Sequence, residues 1–388
     1  MKDECVRIFV CDSIYFMHIS PLLVGAVVSS WTALSPVGIR TRATRDVQLY
    51  AGSTFPTIAP SAGTTPTRAA RDMQLCAGSA FPASQQTPFW FDPLDLFAID
   101  EPERPPKQSL PLLVVLPGLD GSGVTAWTQY PELGLSYDLV AMRIPADDRS
   151  SFDHVVGMVV EQVNAAKAQG REVFVLGESM GAGVALHAAT RSGASPPDGV
   201  ILVSPATGWD RTWVGRSRHF LVDLPDSLLG LATLFTSYQL LDVEQLWTTA
   251  RRVVTGERSP LLDTPLRLEY AWRLVGAMPE AFAQPAGTVR HRIAEWTEPT
   301  LAIGRKATFS ALDLPPLLIV AGTADLRVPA EEEAWRLKAC AKGPCDVQLV
   351  ENAGHAGVTD DRIDLRAILN QWRATHASTS SLSGDETR

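Results

Sequence analysis

The sequence lacks an excess of basic charge, and this excludes one class of partner. It contains 34 Lys and Arg against 43 Asp and Glu, which gives a net charge of -9. Basic residues are in slight excess up to Trp90, so the rest of the chain carries 27 basic and 38 acidic residues. An acidic body without a basic stripe argues against nucleic acid as a partner.

Cysteine is also scarce, and its spacing excludes a zinc site. None of the five cysteines has a His or Cys neighbour at zinc-ligand spacing. Nothing else in the sequence implies a metal or an organic cofactor. Cys340 and Cys345 flank Ala-Lys-Gly-Pro, and we favour two free thiols there over a small surface disulfide.

No hydrophobic run is long enough to be assigned as a membrane span. Ile19–Leu34 is moderately apolar, but it is short and is interrupted by Ser29 and Thr32. It is similar to the hydrophobic region of a signal peptide. The leader that precedes it is long and not very basic, which makes Met17 an alternative start.

An internal repeat follows this run. Thr41–Pro56 recurs as Thr67–Pro82, and two copies are too few for a solenoid. The surrounding Ser, Thr, Ala, Pro and Arg are typical of an organelle transit peptide. A signal-like run followed by such a segment, with Phe81 near its end, resembles the two-part presequence of algae with secondary plastids. We therefore predict that residues 1–90 are a plastid presequence; the alternative is a disordered linker behind a signal anchor of the secretory pathway.

From Pro111 onward, strands alternate with helical segments, which predicts an α/β fold with a doubly wound, mostly parallel sheet in residues 91–376. The predicted strands are Leu110–Leu116, Tyr137–Ile144, Val173–Leu176, Gly199–Val203, a segment from Pro315 to Gly322, and Asp346–Val350. The predicted helices are His154–Gln169, the residues after Gly181, Glu331–Cys340 and Ile363–Thr375.

The alternation breaks between about residues 208 and 311, where apolar helical material shows no clear strand. We predict an inserted helical cap there. Its apolar residues either form only its packing face or, as we favour, line an apolar substrate channel. Residues 377–388 are rich in Ser, Thr, Gly and Asp and are predicted to be a disordered tail.

The central motif is Gly177-Glu-Ser179-Met-Gly181, which lies between a predicted buried strand and an Ala-rich helix. Gly-x-Ser-x-Gly also occurs by chance in loops and helix starts. In a sharp strand-to-helix turn, however, it is typical of a nucleophile elbow, where the serine has strained dihedral angles and a hydroxyl clear of the sheet. Gly177 and Gly181 are then the positions where a Cβ would collide with neighbouring backbone.

A base and an acid follow in the order that this chemistry needs. A serine nucleophile requires a histidine to accept its proton and a carboxylate to orient that histidine. In α/β-hydrolases the order is Ser, acid, His, each in a loop after a strand. Here the order is Ser179, Asp325, His355. A lone His or Asp is more often a surface residue or a helix cap, but three such loops in this order predict a catalytic triad.

The oxyanion hole is predicted to use two backbone N–H groups, those of Met180 and Leu119. Met180 follows the nucleophile, and Leu119 lies in the glycine-rich loop after the first core strand. The alternative for that loop is a plain strand-to-helix turn. The histidines that lack such placement are interpreted as structural: His154, His187, His219, His291 and His376.

Four stretches together resemble the hydrolase domain of the plastid phytyl ester synthase and diacylglycerol acyltransferase-like esterases, over about Pro88 to Leu365. They are Pro88-Phe-Trp-Phe-Asp-Pro-Leu, Leu-Pro-Gly-Leu-Asp-Gly-Ser-Gly up to Gly123, Ser204-Pro-Ala-Thr207, and Glu331-Glu-Glu-Ala-Trp-Arg-Leu. The resemblance implies an α/β-hydrolase fold. It also implies transfer of a fatty acyl group, in a plastid, from a lipid or thioester donor to phytol, diacylglycerol or water.

We therefore expect a serine esterase or acyltransferase that acts on fatty acyl esters through an acyl-enzyme on Ser179. Its partner is expected to be a lipid or acyl-ester small molecule; a peripheral contact with membrane lipids and the oligomeric state stay open. A lipase, thioesterase or serine peptidase of the same fold is the alternative among enzymes. A ligand receptor or an inactive scaffold is the alternative outside them.

Overall fold

The structure is a computed structural model of the 388-residue chain. It describes residues 6–10, 13–17, 86–96, 105–123, 125–193, 195–230, 243–257, 259–271, 284–325, 327–355 and 363–382. The apolar run Ile19–Leu34 and both copies of the repeat lie outside the described residues. Within the described part, no helix combines the length and the apolar character needed to cross a bilayer.

The chain divides into two compact units, Met1–Ala70 and Arg71–Arg388. In the first unit, strands β1 (Val6–Val10) and β2 (Ser13–Met17) pair antiparallel. Both strands lie within residues 1–90, for which the sequence predicts a presequence. They are rich in β-branched and aromatic residues, which favour extended structure.

The second unit is built on a seven-stranded sheet with the order β3-β5-β4-β6-β7-β8-β9. All its pairs are parallel except that of β3 with β5. The strands are β3 (Phe89–Phe91), β4 (Leu112–Leu116), β5 (Asp138–Arg143), β6 (Val173–Glu178), β7 (Gly199–Val203), β8 (Leu317–Gly322) and β9 (Cys345–Val350). Strand β6, which precedes the serine, lies near the middle of the sheet between β4 and β7.

The described residues of this unit include six longer helices and several short ones. The longer helices are α1 (Phe152–Ala168), α2 (Met180–Arg191), α3 (Val243–Thr255), α4 (Ala286–Gly304), α5 (Ala330–Cys340) and α6 (Leu365–Leu382). The short α-helices are Pro93–Leu96, Tyr130–Leu133, Trp213–Arg216, Arg218–Asp223 and Lys306–Phe309, and Lys107–Ser109 and Ala206–Arg211 are 3-10 helices. Residues 226–230 and 264–271 are also helical.

The core lies on both faces of the sheet because alternate residues of a strand point to opposite sides. Strand β4 shows this: Leu113 belongs to one buried cluster and Val114 to the other. Trp372 of α6 is in the first cluster. Residues of α1, α2 and α5 are in the second, as Val156, Val184 and Leu337 illustrate. Both faces of the sheet are therefore covered, as expected of a mostly parallel sheet.

Several predicted element ends need correction. The predicted boundary after Trp90 falls inside β3, whose short edge strand has no alternating pattern in the sequence. The last helix continues to Leu382, although its end was predicted at Thr375 and a disordered tail from residue 377. No glycine or proline stops the helix before Gly384.

Helix α4 and the residues directly after it lie in the region predicted as a cap, residues 208–311. Trp296, Ile303 and Phe309 lie in the same buried cluster as helices α1 and α2, so the second half of α4 and the residues after it pack on the sheet layer. A separate small cluster of Leu229, Val289 and Ile293 involves the first half of α4. Helix α4 thus contributes to the core on the sheet and to the small separate cluster. The absence of strands in this region of the sequence does not reveal that division.

Candidate active site

Ser179 occupies a sharp turn between β6, which ends at Glu178, and α2, which begins at Met180. Its backbone has φ 53° and ψ -116°, a conformation that non-glycine residues rarely adopt and that costs free energy. Hydrogen bonds hold it there: Ser179 N–H donates to the carbonyl of Val203 at 2.9 Å, and Ala206 N–H donates to the Ser179 carbonyl at 3.1 Å. The strained residue is thus fixed by the neighbouring strand β7 and the loop after it.

The two glycines of the motif allow this turn to pack closely. A Cβ on Gly177 would lie 2.3 Å from the carbonyl oxygen of Gly181. A Cβ on Gly181 would lie 2.4 Å from the carbonyl oxygen of Pro117. Neither distance is possible for a real side chain, so only glycine fits at either position without a shift of the backbone.

The structure brings Ser179, His355 and Asp325 together. Asp325 follows β8 and His355 follows β9, and the carboxyl ends of parallel strands meet at one edge of a sheet. His355 Nε2 lies 2.9 Å from Ser179 Oγ. His355 Nδ1 lies 2.8 Å from Asp325 Oδ2. The three side chains form one hydrogen-bonded chain.

The surroundings of Asp325 stabilise its charge. Burial by itself would raise the pKa of Asp325, but the charge and hydrogen bond of His355 lower the pKa below its ordinary value. The backbone N–H groups of Arg327 and Val328 act in the same direction, since they donate to Asp325 Oδ1 at 2.8 and 3.0 Å. One carboxylate oxygen therefore holds the loop, and the other orients the histidine.

The same ion pair shifts the pKa of His355 upward. Burial would lower its pKa, but the charge and hydrogen bond of Asp325 raise the pKa above its ordinary value of 6.5. A histidine with a raised pKa is a stronger base and holds an accepted proton more firmly. The arrangement can accept a proton from Ser179 and stabilise the imidazolium that forms.

Of the two predicted oxyanion donors, Met180 directly follows Ser179, and Leu119 follows Gly118, which lies against the serine. Gly118 approaches the serine so closely that a Cβ on it would be 3.3 Å from Ser179 Cβ. The Gly118 carbonyl accepts a hydrogen bond from Gly121 N–H at 3.0 Å. Because C=O and N–H of a trans peptide point in opposite directions, Leu119 N–H points away from this turn. Met180 begins α2, where the first N–H groups have no partner within the helix.

Sequence reasoning missed a buried acid next to Ser179. Glu178 is 5% exposed and accepts a hydrogen bond from the hydroxyl of Thr125. Burial and the nearby charge of Asp120 raise the pKa of Glu178 to about 7. The feature that could have indicated its burial is its position at the end of β6, a central strand that is buried along its whole length.

The histidines interpreted as structural lie outside the Ser179 site. Three of them make hydrogen bonds elsewhere, and two are on the surface. His187 bonds to the carbonyl of Pro299, His291 to that of Ser150, and His376 to Asp346, while His154 and His219 are exposed.

Two stretches that carry the family resemblance meet in the structure. Thr207, from Ser-Pro-Ala-Thr, donates to the carboxylate of the fully buried Glu333. Arg211 and Arg336 donate to the same carboxylate, at 2.6 Å in each case. This buried network joins the loop after β7 to helix α5, and so connects the loop behind the serine to the helix after Asp325.

Comparison with known proteins places most of the second unit in one family. A family model described as serine aminopeptidase, S33, matches residues 148–362. Phytyl ester synthase 1, chloroplastic, of Arabidopsis thaliana is 25% identical over 287 residues, which cover 73% of this chain and 38% of the relative. Phytyl ester synthase 2, chloroplastic, of the same plant is 34% identical over 149 residues, covering 38% of this chain and 20% of the relative.

The chain thus aligns with less than half the length of these curated relatives. Among solved structures, MenH from S. aureus is similar with a TM-score of 0.49 and 17% identity, over 74% of this chain and 98% of that one.

Proposed function

The chain belongs to the serine aminopeptidase, S33, family of hydrolases, and we propose that it is a serine esterase or acyltransferase that acts on fatty acyl esters through Ser179. The observation that carries the proposal is the hydrogen-bonded chain from Ser179 Oγ through His355 to Asp325. In this proposal Ser179 is the nucleophile, His355 the general base and acid, and Asp325 the carboxylate that orients the histidine.

The first half of the reaction forms an acyl-enzyme. Ser179 Oγ attacks the carbonyl carbon of the ester while its proton moves to His355 Nε2. The carbonyl oxygen becomes an oxyanion, which accepts hydrogen bonds from the N–H groups of Leu119 and Met180. The C–O bond to the leaving alcohol then breaks, and the alcohol takes the proton from His355.

The second half repeats these steps with a new nucleophile. Water or an alcohol gives its proton to His355 and attacks the acyl carbon; when the tetrahedral intermediate collapses, Ser179 leaves and recovers the proton. Water yields a fatty acid, whereas a lipophilic alcohol such as phytol or diacylglycerol yields a new ester. The outcome depends on whether the site excludes water during this step.

Two observations support an apolar acyl substrate. The curated relatives are named as phytyl ester synthases, which form esters of a lipophilic alcohol. In addition, the side chain of Leu119 packs against the small apolar cluster of Leu229, Val289 and Ile293. An apolar wall therefore lies beside the proposed oxyanion loop, where an acyl chain would run.

A serine peptidase is the second candidate, and the family description favours it directly. It would use the same three residues on an amide. Lipase and thioesterase activities differ from the main proposal only in the acyl donor. An inactive scaffold would keep the fold without acyl-enzyme chemistry.

Product analysis tests the proposal. The purified protein is incubated with a long-chain acyl ester, with and without phytol, and with an aminoacyl anilide in parallel; Ser179→Ala is the control. We expect phytyl ester or free fatty acid from the unmutated protein only. Cleavage of the anilide without any ester turnover would replace the proposal by the peptidase alternative, and equal turnover by Ser179→Ala would refute both.

Plastid location is a separate proposal. The curated relatives are named chloroplastic, and the composition of residues 1–90 is typical of a transit peptide. A fluorescent protein fused behind residues 1–90 is expected in the plastid of an algal cell. A fusion that stays in the cytosol or the secretory pathway would overturn this proposal without affecting the proposed chemistry.

A further inference from the structure

Arg292 of helix α4 is 1% exposed, and its hydrogen-bond acceptors among the described residues are four backbone carbonyls. Its Nη1 donates to the carbonyls of Leu119 at 2.9 Å and Asp120 at 2.6 Å. Its Nη2 donates to those of Ile144 at 3.0 Å and Pro145 at 2.9 Å. One guanidinium thus joins the loop after β4, which contains the proposed oxyanion donor Leu119, to the end of β5.

Burial of a guanidinium costs free energy, and no carboxylate in the described part of the chain forms an ion pair with Arg292 at hydrogen-bond distance. Burial lowers the pKa of Arg292 to about 10, while the charges of Asp120 and Asp148 oppose that shift. The side chain therefore stays charged at neutral pH. Charged donors form stronger hydrogen bonds than neutral ones, so Arg292 fixes the two peptide groups that directly follow Leu119 in the loop.

Helix α4 connects this contact to two other parts of the protein. Val289 and Ile293, on either side of Arg292, belong to the small apolar cluster that touches Leu119. About two turns further along the helix, Thr300 packs so closely on α2 that a Cβ on Gly183 would lie 2.4 Å from its hydroxyl oxygen. The same helix therefore contacts both the loop that supplies Leu119 and the helix that begins at Met180.

We propose that Arg292 is a positioning residue that holds the loop 118–121 in register with Ser179, so that Leu119 N–H meets the developing oxyanion. The inference rests on the proposed function, since it assumes acyl-enzyme chemistry at Ser179. Without the guanidinium, the carbonyls of Leu119 and Asp120 lose their charged donor and the loop can rotate away. The effect falls on the transition state, because the ground-state ester does not need this hydrogen bond.

The test compares two arginines of the same helix. Arg290 also binds backbone carbonyls, those of Val222 at 2.8 Å and Leu224 at 2.7 Å, but not those of the oxyanion loop. Arg292→Lys, Arg292→Met and Arg290→Met are assayed with p-nitrophenyl octanoate. The number of active sites is first titrated with a fluorophosphonate, so that kcat is expressed per folded, reactive enzyme. Affinity for an octylboronic acid, which becomes tetrahedral on serine, is measured alongside.

We expect Arg292→Met to lower kcat by on the order of 100-fold with KM within about twofold, and Arg292→Lys to recover part of the loss. Boronic acid affinity should fall in parallel, and Arg290→Met should keep its kcat. Equal losses in the Arg290 and Arg292 variants, or unchanged kcat in both Arg292 variants, would overturn the inference. Failure of both Arg292 variants to fold, with Arg290→Met folded, would also overturn it, because Arg292 would then support the fold as a whole. An unmutated protein that does not react with the fluorophosphonate would instead refute the proposed function.

Discussion

The hydroxyl of Thr125 donates a hydrogen bond to the carboxylate of Glu178, the residue immediately before Ser179. Thr125 is 8% exposed and Glu178 is 5% exposed. This places an ionisable group, cut off from water, directly behind the proposed nucleophile. Because burial raises the pKa of Glu178 to about 7, its charge changes within the range in which enzymes are usually assayed.

Glu178 is predicted to make the stability of the protein depend on pH. Its pKa is near 4.5 when unfolded and about 7 when folded, so the folded protein binds this proton more tightly. The stabilisation is fully present below pH 4.5 and is lost as the pH rises through about 7. Glu178→Gln keeps an acceptor for Thr125 and removes the titration. The free energy of unfolding of Glu178→Gln should therefore increase relative to that of the unmutated protein between pH 5 and pH 8, which urea unfolding at each pH would measure.

Glu161→Gln, on the exposed face of α1, is the matched control for loss of one negative charge. It should show no such pH-dependent difference. A Glu178→Gln difference that does not change with pH would contradict the raised pKa.

The contact between Gly183 and Thr300 predicts a specific loss of stability. A Cβ at Gly183 would lie 2.4 Å from Thr300 Oγ1, so Gly183→Ala must push α4 away from α2. Overpacking of this kind costs about 1–3 kcal/mol. Gly157→Ala is the control, because Gly157 is within helix α1 and a Cβ there meets nothing within 4 Å. Gly157→Ala should stabilise the protein by about 0.5–1 kcal/mol. Chemical unfolding would measure the free energy of unfolding of both variants.

Glu333 is predicted to be essential to the network that it forms with Thr207, Arg211 and Arg336. Glu333→Ala removes the acceptor that the buried Thr207 shares with the part-buried Arg211 and Arg336, so we expect a loss of about 1–3 kcal/mol in the free energy of unfolding. Glu332→Ala is the neighbouring control: its side chain is 79% exposed and lies 3.9 Å from Arg211, so its removal should cost at most about 1 kcal/mol. Similar losses in the two variants would contradict the network.

Acylation is predicted to follow the ionisation of His355. The base must be neutral, so the rate should rise with pH through the pKa of His355, which Asp325 holds above 6.5. Asp325→Asn removes the charge that raises this pKa. We expect the midpoint of the profile to move to lower pH and the rate to fall by on the order of 10⁴-fold. Stopped-flow kinetics with a p-nitrophenyl ester would measure both, and an unchanged midpoint would refute the assigned role of Asp325.

Much of the architecture follows from local sequence. The predicted α/β-hydrolase fold is confirmed, and strand β7 lies at the predicted bounds Gly199–Val203. These succeed because buried parallel strands are short apolar runs, each followed by its own loop. Gly-x-Ser-x-Gly, Asp325 and His355 each lie directly after such a run. Their roles and the domain boundaries stay predictions, although the structure brings the three side chains together.

The features that local sequence does not predict depend on contacts between segments that are distant along the chain. Arg292 lies three residues after Val289 and four before Trp296, so an arginine on the apolar face of a helix was the only local signal of its burial. Nothing in the sequence shows that its acceptors would be backbone carbonyls of the loops after β4 and β5. The same holds for Trp296, which lies in the region predicted as a cap but packs in the cluster of helices α1 and α2 on the sheet.

Covalent labelling tests the central claim most directly. The protein is reacted with an alkyl fluorophosphonate, digested, and mapped by mass spectrometry, with Ser179→Ala and His355→Ala in parallel. We predict one adduct, on the peptide that contains Ser179, absent from Ser179→Ala and formed far more slowly in His355→Ala. A folded, unmutated protein that forms no adduct, or forms it on another residue, would contradict the account.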